Sequence, residues 1–107
     1  MEIDIRSKDF ELSESIMHST KESILKKIEK YRKLILSVKI WFTDTNGPKG
    51  GIDKKCLVKI STKYKDSIII QEEGSNLYEL IVNIGDRINN VLQKRKEKRK
   101  RRIALDY

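Results

Sequence analysis

A single cysteine among 107 residues, Cys56, leaves no pair for an internal disulfide, and a single histidine, His18, leaves no ligand spacing for a zinc site. Cys56 falls in the apolar phase of a strand pattern, where a thiol packs as a small hydrophobe and is poorly placed for attack. The chain lacks an N-terminal apolar signal segment and any apolar run able to span a bilayer, so the cytoplasm is the expected compartment, with no membrane partner. Its one proline, Pro48, shares residues 44–51 with three of the five glycines, which marks a wide turn or loop. Lys49 and those glycines lack the spacing of a phosphate-binding loop and precede a strand pattern, whereas such a loop needs a following helix. Neither an enzyme, a metal, a cofactor nor a small-molecule substrate is expected.

What the chain has in excess is positive charge in one place. Residues 94–102 hold eight cations and one anion, +7 of the formal +8, so the remainder is close to neutral. A concentrated cationic end on a balanced body suits docking to a polyanion, because a phosphate backbone gives clustered Lys and Arg salt-dependent affinity. RNA is the expected partner. The length fits one domain, read as residues 1–95, followed by a basic extension, 96–107, too charged to pack and a candidate for disorder.

Hydrophobic periodicity predicts an α+β fold in the order β-α-β-β-β-α. Residues 2–6 alternate with Ile3 and Ile5 on one face, and Ser13 is the expected N-cap of a helix over 14–34. Its apolar stripe takes Ile16, Met17, Ile24, Ile28, Tyr31 and Ile35, while Lys26, Lys30 and Lys33 form a cationic flank with Lys27 at the stripe's edge. In 36–43, Val38, Ile40 and Phe42 point inward and Lys39 and Trp41 outward. Two further strands, 55–63 and 67–73, place Cys56, Val58 and Ile60 on one face and Ile68 and Ile70 on another, joined by a tight turn at 64–66. Leu77, Ile81, Ile84, Ile88 and Leu92 define a final amphipathic helix, with Gly85 inside it at a cost of roughly 1 kcal/mol relative to Ala. That glycine predicts close approach of the two helices. The expected result is a four-stranded mixed sheet with both helices on one face, β1 pairing in parallel with β2 through a right-handed crossover.

Three features bear on binding. Continuing the last helix through Lys94, Lys98 and Arg101 extends positive charge alongside the flank on the first helix, so that two near-parallel basic helices suit a groove lined by RNA. Trp41 on the outer phase is either a base platform or a cover for the open sheet face, and the lack of a second outward aromatic favours the cover. A plain solvated helix flank or a solubilising tail would give the same charge runs.

The order of elements and several local motifs resemble the short ribosome hibernation promoting factors, the ribosome-associated inhibitor and subunit-interface protein family. The matching segments are the opening thirteen residues through Ser13, Ile28-Glu-Lys-Tyr31, Ile35-Leu-Ser-Val38 and Glu73-Gly-Ser-Asn-Leu-Tyr78, which runs into Asp86-Arg87 and Leu92-Gln-Lys-Arg-Lys96. Asn76 stands where the family usually has Asp, Val82 where Asp is common, and the loop over 46–56 is unlike that of short members. The resemblance implies binding in the small-subunit channel for messenger and transfer RNA, blocking initiation and stabilising idle ribosomes in the bacterial cytoplasm under stress. It implies ribosomal RNA contacts at Lys27, Lys30, Arg87, Lys94 and Lys96; helical phase and the basic run add Lys26, Lys33, Arg95 and Lys98. Tyr78 matches the family tyrosine and is read equally as a packing residue. The ribosome and its small-subunit RNA are the implied partners, with a monomer off the ribosome. Long members carry a further domain that pairs ribosomes directly, and the resemblance here is to the short form. The competing readings are a general duplex-RNA module, which tight binding to free duplexes would favour, and a protein-interaction domain whose tail adds solubility.

Overall fold

A computed structural model of the chain describes residues 1–8, 10–44 and 53–105, with side chains through residue 98. The expected loop over 44–51, including Lys49, lies almost wholly outside the described residues. Four strands, β1 (Glu2–Lys8), β2 (Ile35–Asp44), β3 (Lys54–Thr62) and β4 (Ser67–Gly74), form one sheet in the order β1-β2-β3-β4. β1 pairs in parallel with β2, and the other pairs are antiparallel, so the sheet is mixed as expected. Both helices, α1 over residues 14–29 and α2 (Leu77–Leu105), pack on one face.

That face holds the core. Val38, Ile40, Phe42, Cys56, Val58, Ile60, Ile68 and Ile70 point toward the helices and are almost wholly buried, matched by Ile24 and Ile28 on α1 and Leu77, Ile81, Ile84, Ile88 and Leu92 on α2. Burial of each such side chain contributes on the order of 2 kcal/mol, enough in aggregate to hold the sheet against the helices. Lys39, Lys59 and Ile69 occupy the opposite face and remain exposed, and Trp41 lies there opposite Leu57, partly buried.

The first helix differs from the expectation over 14–34. It starts as predicted, with the Ser13 hydroxyl accepting the amide of Ile16 at 3.1 Å. Its inward positions Ile16, Thr20, Ile24 and Ile28 then recur every four residues, and on a 3.6-residue helix each such step drifts by about 40°. A widened π-helical turn over Lys21–Leu25 takes up the drift, with the Lys26 amide reaching back five residues to the Lys21 carbonyl. The helix ends at Glu29; Tyr31 leaves helical geometry (φ −115°, ψ 18°), and Arg32–Leu34 makes one 3₁₀ turn. Ile35 is therefore a strand residue, not the last of the helical stripe: it sits opposite Thr62 and is 1% exposed. A register shift between Ile35 and Ser37 turns Leu36 outward, 53% exposed, since the irregularity spends one residue without changing face. Lys33 consequently lies on the 3₁₀ turn and not on the helical flank.

Candidate nucleic-acid interface

The two helices run in the same sense. The Ser15 and Tyr78 hydroxyls are 2.5 Å apart, Gly85 packs on Ser23, and the Lys27 ammonium donates to Asp86 at 2.6 Å, so contacts climb both helices together. Gly85 permits this: a Cβ there would stand 2.0 Å from the Ser23 carbonyl oxygen, well inside contact distance. The close approach expected from the sequence is thus a backbone-to-backbone contact.

Parallel helices put both N-termini at one end of the molecule and both C-termini at the other. At the first end the groups are largely satisfied within the protein. Asn76 Oδ1 accepts the amides of Tyr78 and Glu79, Lys54 pairs with Asp44 and Asp53, and Lys55 pairs with Glu73. A cavity of about 300 Å³ between Phe10, Thr43, Asn76 and Tyr78 opens there, and Asp44 Oδ1 is buried against its wall without a hydrogen-bond partner among the described residues.

The sequence-predicted cations run from the middle of the molecule to the second end, and the structure sorts them into two groups. Lys26 pairs with Glu22 at 2.5 Å, Lys27 with Asp86, Arg87 with Glu72 at 2.9 Å, and Arg95 with Asp66. Arg87 also donates to the Gln71 carbonyl at 2.9 Å, which ties α2 to β4. The Lys26 hydrogen bond holds the Glu22 carboxyl below its ordinary pKa, and both groups are exposed. Lys30, Lys33, Lys94, Lys96 and Lys98 are exposed, and no carboxylate among the described residues pairs with them. Lys30 caps the end of α1, Lys33 follows on the 3₁₀ turn, and the other three project from α2 beyond Leu92, its last buried side chain among the described residues. At about 1.5 Å per residue, residues 93–105 carry the helix some 20 Å further, consistent with a long axis of 59 Å.

The topology also delivers cations that sequence reasoning had missed. The β3–β4 turn lies at this same end, because the amide of Lys63 donates to the Leu34 carbonyl at 2.9 Å and Asp66 meets Arg95. Lys63 and Lys65 are exposed there, beside Arg32, which pairs with Glu29. Nothing in linear spacing joins residue 63 to 33 or 95; only the strand order does. Cys56, by contrast, is buried with its thiol pKa pushed up to about 12 by burial, so it remains protonated at neutral pH and is inert as a nucleophile.

The sequence profile of the family described as Sigma 54 modulation protein / S30EA ribosomal protein matches residues 3–100. Solved structures that share the fold include two bacterial proteins. A ribosomal subunit interface protein from Coxiella burnetii superposes with a TM-score of 0.71 at 19% identity, covering 91% of this chain and 99% of that one. The N-terminal domain of Protein Y from Thermus thermophilus gives 0.69 at 16% identity, covering 88% and 98%. No match is found among curated protein sequences.

Proposed function

This chain belongs to the Sigma 54 modulation protein / S30EA ribosomal protein family, and from that premise we propose that it docks in the messenger and transfer RNA channel of the small ribosomal subunit. Membership of that family supports reading it as a ribosome-associated protein of the subunit-interface, hibernation-factor type, which acts by binding and not by catalysis. Its action is occupancy: the protein binds small-subunit ribosomal RNA, blocks initiation and stabilises idle ribosomes in the cytoplasm during stress. It acts as one module over residues 1–95 with a basic extension over 96–107, monomeric off the ribosome. No helix among the described residues is long and apolar enough to cross a membrane.

The observation that carries the reading is the set of unpaired lysines at the C-terminal ends of two helices running the same way. Lys30, Lys33, Lys94, Lys96 and Lys98 present charge that no carboxylate among the described residues neutralises, and phosphates supply the missing partners. Lys26, Lys27, Arg87 and Arg95 flank this surface, each shared with a carboxylate, and contribute less net attraction while fixing the spacing of the elements. Tyr78, hydrogen-bonded to Ser15 at the opposite end, serves helix packing.

The test is co-sedimentation with vacant and with messenger-programmed ribosomes at graded salt, with excess unrelated duplex RNA as competitor. Binding to vacant ribosomes that survives the competitor and disappears when the channel is filled is the expected result. Equal loss to the competitor would leave a general duplex-RNA binder.

A further inference from the structure

We propose that the β3–β4 turn, Lys63-Tyr64-Lys65, is a third RNA-contacting element beside the two helices, with the lysines on phosphates and the Tyr64 ring stacked on an unpaired base. The inference rests on the proposed ribosomal RNA binding and assigns it a site that neither the helices nor the basic run contains. Three observations converge on it. Lys63, Tyr64 and Lys65 are all exposed, Tyr64 at 49%. An aromatic ring between two cations offers the combination by which proteins hold unpaired nucleotides, a stacking surface with backbone charge on either side.

The turn is also held in place. The Thr62 amide donates to the Asp66 carbonyl at 3.0 Å, the Tyr64 amide donates to Thr62 Oγ1 at 3.2 Å, and the Thr62 hydroxyl donates to the Asp66 carboxylate. Lys65 adopts φ 63°, a left-handed conformation that a non-glycine residue occupies only when its surroundings impose it. Two external ties then orient the whole loop: Lys63 N–H to Leu34 O, and Arg95 of α2 to Asp66. A loop already fixed in one shape loses little further entropy on binding.

Its position completes the argument. The ties to Leu34 and Arg95 put the turn at the end of the molecule where Lys33 and Lys94, their neighbours in sequence, are also exposed without a carboxylate partner among the described residues. Arg95 is thereby a positioning residue for the turn, since its guanidinium faces Asp66.

The experiment measures affinity of the full chain for vacant ribosomes across a salt series, for wild type, Lys63→Gln/Lys65→Gln, Tyr64→Ala and Tyr64→Phe, each with its melting curve. All three positions of change are exposed, so the melting temperatures should agree within a few degrees. The double lysine variant should weaken binding and lower the slope of log affinity against log salt by about 2, one for each phosphate contact. Tyr64→Ala should weaken binding on the order of tenfold, and Tyr64→Phe, which keeps the ring, should bind as wild type does. Wild-type affinity and slope in the double variant, or wild-type affinity in Tyr64→Ala, would overturn the assignment while leaving ribosome binding intact. A wild-type chain that fails to bind vacant ribosomes would overturn both it and the reading on which it rests.

Discussion

The two ends of this molecule are built from the same elements and treat charge in opposite ways. At the N-terminal ends of the helices, caps and nearby ion pairs close inward: Ser13 and Asn76 satisfy free amides, and Lys54 and Lys55 find Asp44, Asp53 and Glu73. At the C-terminal ends, Lys30, Lys33, Lys94, Lys96 and Lys98 accumulate without a carboxylate partner among the described residues. Helix dipoles favour cations there, but only by about 0.3–1 kcal/mol each at exposed sites and only within the last turn. Lys30 satisfies that local account. Lys94, Lys96 and Lys98 do not, since α2 runs on to Leu105. Neighbouring like charges repel, so their crowding on one helix lacks a stabilising reason within the protein and points to a polyanionic partner.

The largest effect should come from destroying the alignment that separates the ends. Gly85→Leu drives a side chain into the Ser23 carbonyl, and overpacking of this kind costs about 3 kcal/mol or more. A melting temperature lowered by about 15 °C is expected for a domain of this size. An unchanged transition would mean that the helices separate freely and that their spacing is not fixed at this contact.

Next comes the charge asymmetry itself. Lys94→Glu/Lys96→Glu/Lys98→Glu should reduce affinity for vacant ribosomes about a hundredfold at physiological salt with an unaltered melting curve, because each lost phosphate contact removes counterion release. The same reversal at Lys55, at the other end, should change affinity less than twofold. Comparable losses from both sites would sink the idea that one end docks.

A smaller effect belongs to the strut between the helices. Lys27→Met should lower stability by about 1 kcal/mol in chemical denaturation, since its pair with Asp86 is only partly shielded from solvent. Its effect on affinity should be well below that of Lys94→Glu, because Lys27 already has a partner. A larger loss of binding than of stability would return Lys27 to the direct RNA contacts.

How much of this was legible in the sequence follows the range of the interactions. Strand faces and α2 could be read because period-two and period-3.6 patterns record burial locally, and Gly85 could be read because a glycine inside an apolar stripe has few other uses. The end of α1 could not. Residues 30–35 carry no proline or glycine, and Ile35 fits the helical stripe as well as it fits a strand; what decides is its place opposite Thr62, a long-range pairing. The cationic residues were identified from local runs, but which of them are free depended on Asp66, Glu72 and Asp86, partners 15 to 59 positions away or set by helical packing. The turn cations Lys63 and Lys65 lay outside every local pattern for the same reason.

A last effect, confined to alkaline pH, concerns the inward-paired end, where Cys56 sits opposite Phe42 and Glu72. Burial raises its thiol pKa from 9.0 to about 12, so the folded state keeps the proton that the unfolded state releases above pH 9. The sign follows directly: this contribution to stability is fully present below pH 9 and declines as pH rises toward 12. Denaturant titrations at pH 8 and pH 10 should therefore show wild type losing more stability than Cys56→Ala over the same interval, with lysine and tyrosine titration common to both. Equal losses would mean that the thiol meets solvent at this end, and the contrast between an inward-paired end and an open, cationic one would weaken accordingly.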